Sequence, residues 1–269
     1  MPKFNFEDKI VAGIDRRSAM GGDLSDFQKP FRKAAEEAEQ EVVEEGRVSA
    51  KEYEKDQAWV LEEQRRRDEG NKPEEKEYKE KVDATTALMR YFFKDPKEGE
   101  KGVTVIPTGN YDRLKSDIRF ILKAKDNPLG ICVDSVLTDE VFDFVSKKRM
   151  KDIQEGKIES LATDKLKYIY EEDIAGELIP KIRLVLKRPE IKKMLETTAE
   201  VGDPKAGLTD KELEIKREAR LDIEKQLHLY IKRIDEVIAK AMVGKGVSQA
   251  EAAKLKIIKE KLEKFKECF

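Results

Sequence analysis

Cysteine and histidine are scarce in this sequence. Its 269 residues hold two cysteines, Cys132 and Cys268, and one histidine, His228. Two cysteines so far apart make neither a disulfide framework nor a zinc-binding spacing. A single histidine argues against a histidine-based metal site and against a Ser-His-Asp triad. No run of about 18 apolar residues occurs, so no transmembrane helix is expected. The opening MPKFNFEDKI has no apolar core of the kind a signal peptide needs. Glycine-rich phosphate loops and dinucleotide fingerprints are also missing. These absences lead to the expectation of a cytoplasmic chain with no membrane and no disulfide partner.

Charge is abundant. Charged residues make up 42% of the chain and hydrophobic residues 39%, and 55 Lys+Arg stand against 57 Asp+Glu for a net charge of -2. Strongly unbalanced charge would argue for disorder, whereas balanced charge points to long solvated helices with interleaved signs. The distribution is uneven, with a net of -6 in residues 1–100 and +4 in the remainder. Lys147-Lys148-Arg149-Met150-Lys151 is one basic cluster. Residues 181–193 hold Lys181, Arg183, Lys187, Arg188, Lys192 and Lys193 against only Glu190. Arg65-Arg66-Arg67 is followed by Asp68-Glu69 and reads as a solvated helix face.

Three parts are expected from the pattern. In residues 1–73, a helix from about Leu24 to Glu45, interrupted early by Pro30, stops at Gly46. Ser49 to Glu52 forms a capping box for a second helix reaching about Glu69. Both helices have few large apolar residues and read as a charged arm. In residues 74–198, a helix from Glu74 to Phe93 places Tyr78, Val82, Thr85, Met89 and Phe92 on one face. Short strands are then expected at Val103–Ile106, Asp117–Lys123 and Leu129–Leu137, the last apolar on both sides like a central strand. Thr138 caps a helix from Asp139 to about Glu155. Strands follow at Leu166–Tyr170 and Lys181–Leu186, then a short helix at Pro189–Leu195. In residues 199–269, Thr209 and Ser248 open two capping boxes. The first helix carries a stripe of Ile223, Leu227, Ile231, Ile234 and Ile238, and the pair reads as an antiparallel hairpin. The fold class is therefore α+β, a small mixed sheet in αβββαββ order with helices at both ends.

That helix–three-strand–helix–strand order over about residues 74–190 resembles the core of the restriction-endonuclease-like, PD-(D/E)xK nuclease superfamily. The resemblance rests on Asp117 at the start of the second strand and Asp134 within Cys132-Val133-Asp134-Ser135-Val136. It implies that Asp117 and Asp134 hold Mg²⁺, with Glu75 (or Glu74, or Asp112) as an auxiliary acid. Neighbouring strands lie about 4.8 Å apart, so two facing carboxylates can share one such ion. The ion would lower the pKa of a bound water and stabilise charge on the phosphate. The family lysine belongs at Val136 and is absent there, and Lys148 on the following helix would be its displaced counterpart. Lys147, Arg149, Lys151, Arg183, Lys187 and Arg188 would hold a nucleic-acid backbone.

Each of these residues also has a plainer reading. Asp117 can be a turn-capping acid, and Glu74 and Glu75 suit a helix N-terminus. Lys148 and Arg149 can lay their stems along an apolar face. Asp134 is harder to explain away, because an acid in an apolar strand needs a partner. His228 is expected half-buried, Cys132 an inert core thiol, and Trp59 either a packing anchor or a partner contact. The alternative function is a non-catalytic scaffold that binds another protein through its charged helices.

Overall fold

The computed structural model describes residues 24–70, 75–93, 103–124, 127–136, 147, 150–169, 174, 176–200 and 207–268. Helix α1 spans Leu24–Glu44 and runs through Pro30 without the expected interruption. Phe31, Ala34 and Ala38 pack it into the main core on the far side of the proline. It ends where Gly46 takes a φ of 73°, and the Arg47 amide donates back to the Val42 carbonyl at 3.1 Å. This left-handed closure is one that glycine adopts without steric cost. Helix α2 spans Ala50–Gly70, with the Glu52 amide donating to the Ser49 hydroxyl at 3.3 Å. Arg65 and Arg66 pair with Glu62 and Glu63 on its exposed side, as the solvated-face reading requires.

Helix α3 spans Glu75–Phe93 and buries Ala84, Ala87, Leu88, Tyr91 and Phe92. Five strands follow: β1 Val103–Pro107, β2 Phe120–Ala124, β3 Asn127–Val136, β4 Ala162–Thr163 and β5 Ile179–Lys187. They form one mixed sheet in the order β1-β2-β3-β5-β4. The first three pair antiparallel, with Phe120 opposite Ile131, and β3 then pairs parallel with β5, with Ile131 opposite Ile182. Cys132 is 1% exposed in β3, the buried thiol expected from its strand.

The sequence reading differs from the structure at two strands. Asp117 does not open the second strand. Residues Asn110–Ser116 form a short helix, α4, and Asp117 is its C-cap at φ 58°. Strand β2 starts three residues later, once Ile118 and Phe120, both fully buried, have re-entered the sheet. The second difference is Leu166–Tyr170, where described residues 164–169 lie outside any strand. Here the backbone amides of Lys167 and Tyr168 each donate to the Asp112 carboxylate at 2.8 Å. A side chain takes the bonds that a neighbouring strand would have made, so a β-like residue pattern gives a loop.

Beyond β3 the expected helix is described at Lys147, Met150 and residues 151–154, and the short helix α5 spans Ile158–Leu161. Helix α6 spans Arg188–Glu200, α7 Asp210–Met242 and α8 Gln249–Cys268. The capping box at the start of α7 is complete. Thr209 accepts from the Glu212 amide, and the Glu212 carboxylate accepts from the Thr209 amide. Ser248 and Glu251 make the same reciprocal pair before α8. Helices α7 and α8 form the hairpin, burying Ile223, Leu227 and Ile234 against Leu255, Ile258 and Leu262. His228 is exposed rather than half-buried, because it stands one residue off the buried Leu227 row.

Glu212 also closes a buried ion pair. Its Oε1 accepts from Arg90 Nε at 2.8 Å, and the two side chains are 0% and 2% exposed. The pair ties α3 to the start of α7. Among the described residues, no helix is long and apolar enough to cross a membrane. Both cysteines are free thiols.

Candidate functional site

The antiparallel register brings two of the expected acids to one end of the sheet. Phe120 faces Ile131, so Asp117, the C-cap of α4 three residues before Phe120, and the backbone of Asp134, three residues after Ile131, lie towards the same end of the sheet. Asp134 is paired along the backbone with Val185 of β5. The side chain of Asp134 lies outside the described residues, as do that of Glu75 and all of Glu74, Lys148 and Arg149. Asp117 is more than half exposed, and its carboxylate accepts from the Arg183 guanidinium at 2.5 Å. Arg183 sits on β5 opposite Cys132, two residues before the Asp134 position. Nearby, Lys181 Nζ donates to the Ser116 carbonyl at 3.2 Å.

A Mg²⁺ at this end would have to displace that guanidinium, because Arg183 already neutralises the one acid whose partner is described. No group of three or more His, Cys, Asp or Glu side chains poised for a metal occurs among the described residues. Asp112, the other candidate auxiliary acid, is fully buried and holds the two loop amides at Lys167 and Tyr168. Its position gives it a structural use.

The basic residues divide by surroundings. Lys147 and Lys151 are exposed, and Lys151 sits 3.6 Å from Glu155 one turn on. Lys187 ends β5, and its backbone amide donates to Glu190 at the start of α6. Arg188 opens α6, with its side chain outside the described residues. Trp59 is a packing anchor. It meets Tyr111 edge-on with ring centres 5.6 Å apart, and Lys115 Nζ lies 4.2 Å from its ring centre.

A second candidate escaped the sequence reading. A cavity of about 320 Å³ opens between α1, α3, the end of β1 and Arg119. Its apolar wall is Phe31, Val82 and Met89, and its polar groups include Glu39, Thr85, Thr108, Arg113 and Arg119. Glu39 is 5% exposed. Its Oε2 accepts from the Gln57 amide nitrogen at 3.3 Å, while its Oε1 has no hydrogen-bond partner among the described residues. The same is true of Arg119 Nε. Gly109 makes room for the carboxylate, since a Cβ there would lie 1.8 Å from Glu39 Oε1.

The electrostatics follow from this geometry. Burial, assisted by the charge of Asp112, pushes the Glu39 carboxyl up to about 7, and the hydrogen bonds from the Gln57 side chain and the Asn110 amide only partly offset it. Burial also raises Asp112, to about 6, against the two backbone amides that favour its ionised form. The sequence did carry a trace of Glu39. Phe31, Ala35, Ala38 and Val42 recur at helical spacing, and Glu39 falls about 40° beyond the edge of that arc. Comparison of the chain with protein-family models, with curated proteins and with solved structures finds no match.

Proposed function

We propose that the chain is a nuclease-like module that binds nucleic-acid phosphodiesters, with cleavage held back by the pairing of Asp117 with Arg183. The observation that carries this reading is the ion pair of Asp117 with Arg183, formed at the end of the sheet towards which the backbone of Asp134 also runs. A guanidinium at a sheet end suits phosphate, which it can contact through two parallel N–H donors. Exposed Lys147 and Lys151 add positive charge in the stretch after β3, and Lys187 adds it at the end of β5. Backbone binding of this kind is sequence-independent and weakens as salt rises. With Arg183 on Asp117, a Mg²⁺ there would compete with the guanidinium, and so binding stands ahead of catalysis.

The scaffold reading draws on a different observation. Leu221 and Leu229 are 53% and 51% exposed on the long helix α7, where a partner protein could cover them.

The test is one set of samples read two ways. Fluorescence anisotropy with labelled single- and double-stranded oligonucleotides measures binding across a salt series. Gel analysis with Mg²⁺ or Mn²⁺ measures cleavage, with Asp134→Ala as control. The expected result is salt-sensitive binding, weakened in Lys147→Ala/Lys151→Ala, with no metal-dependent cleavage. Absence of binding at low salt overturns the nucleic-acid reading and leaves the scaffold. Cleavage that Asp134→Ala abolishes overturns the restriction to binding.

A further inference from the structure

The cavity beneath Glu39 is separate in its chemistry from the acids and cations at the end of the sheet. It presents both signs of charge to one small space. Glu39 is a buried carboxylate supported by the Gln57 side chain and the Asn110 backbone amide, with no close hydrogen bond at Oε1, and Arg119 offers a buried Nε–H with no acceptor among the described residues. No ion pair joins the two, although both line the cavity. A buried polar atom without a partner costs about 1–3 kcal/mol, so each side of the cavity favours a ligand group that would complete it. Phe31, Val82 and Met89 form an apolar wall in the same space. At about 320 Å³ the volume is that of a small-molecule site.

We propose that this cavity binds a small zwitterion of the apolar α-amino acid class, its ammonium on Glu39, its carboxylate on Arg119 and its side chain against Phe31, Val82 and Met89. Each requirement comes from a different residue. An ammonium is the complement Glu39 lacks, since it supplies both hydrogen-bond donors and a counter-charge. That counter-charge also restores the ionised carboxylate that burial disfavours. An anion suits Arg119, and Arg113 on the same wall adds to the positive potential there. A hydrocarbon side chain suits the wall that has no polar group to offer. Thr108 lines the same cavity and donates to the Ile118 and Arg119 carbonyls at 2.8 and 2.9 Å. Glu36 and Arg32 stand at the exposed rim, paired with each other at 3.4 Å.

The experiment uses the full chain and named probes. Isothermal calorimetry and saturation-transfer NMR are run with leucine, methionine and phenylalanine. The companion probes are N-acetyl-leucine, which lacks the ammonium, and isoamylamine, which lacks the carboxylate. The expected result is binding of at least one amino acid, with each companion weaker by about tenfold or more. Glu39→Gln and Arg119→Gln should each weaken that binding by about tenfold or more. Gly109→Ala should do the same without changing any charge, because its methyl displaces the Glu39 carboxylate. Circular dichroism and a thermal melt on each variant show that the fold is retained. Failure of every amino acid to bind the wild type overturns the proposal. So does binding of the acetylated or decarboxylated probe as tight as that of the amino acid, or unchanged affinity in Glu39→Gln.

Discussion

Two buried carboxylates a short distance apart in the fold have opposite surroundings. Asp112 is fully enclosed, and both its oxygens accept backbone amides at 2.8 Å. It behaves as a rivet, fixing the 164–169 loop against α4. Glu39 is nearly as deeply buried, yet it lines a cavity and its Oε1, beside Gly109, makes no close hydrogen bond. Both acids are raised by burial, Asp112 to about 6 and Glu39 to about 7. Asp112 ends lower because two amides stabilise its charge. Glu39 ends higher because the Asp112 charge adds to burial, while the Gln57 side chain and the Asn110 amide offset less than the two close amides and the Lys167 charge do at Asp112. Burial alone therefore does not distinguish a structural acid from one available to a ligand. The strength of the donors already committed does.

This contrast can be broken experimentally, and the largest effect belongs to the most completely satisfied acid. Glu212→Ala removes the carboxylate that accepts from Arg90 inside the core, which should cost about 3–5 kcal/mol in urea unfolding, and loss of the capping box adds about 1 kcal/mol. Asp112→Ala orphans two buried amides and should cost about 2–4 kcal/mol by the same measurement. Asp112→Asn keeps one acceptor and should cost less.

Glu39→Gln should move stability the other way. A raised pKa means that the folded state binds more protons than the unfolded state between about pH 4.5 and 7. Stability contributed by this group is thus present below that window and lost as pH rises through it. Replacing it with Gln should stabilise the chain at pH 8 by about 1–3 kcal/mol, with the difference vanishing near pH 4. The smallest effect belongs to the exposed end of the sheet. Arg183→Ala removes a pair whose carboxylate is half in solvent, and should change stability by about 1 kcal/mol or less. Its measurable consequence is on oligonucleotide binding instead.

The sequence made the scaffold legible and the cavity nearly invisible, for physical reasons. Helical spacing and capping boxes are local, so α3, α7 and α8 could be read within a few residues, and Thr209–Glu212 forms the reciprocal cap its spacing predicts. The sheet could be read from the apolar runs of β3 and β5. Asp117 could not be placed correctly, because a strand start and a helix C-cap followed by an apolar run look alike. The 164–169 loop was misread because Asp112, more than 50 residues away in sequence, takes its amides. The ion pair of Arg90 with Glu212 spans 122 residues and leaves no local pattern. Glu39, Arg119 and Thr108 meet only once α1, β1 and β2 have packed. One acid at the border of the apolar stripe of α1 was the sole trace of that site in the chain.

The most direct measurement is an NMR titration of the side-chain carboxyl carbons in the full-length chain, with Glu39→Gln and Asp112→Asn supplying the assignments. The account predicts that Glu39 titrates near 7 and Asp112 near 6, both well above ordinary carboxylates. It also predicts that a bound amino acid lowers the Glu39 midpoint and leaves Asp112 in place. A Glu39 that titrates near 4.5, its ordinary value, would contradict the claim that its oxygen is buried and without a donor.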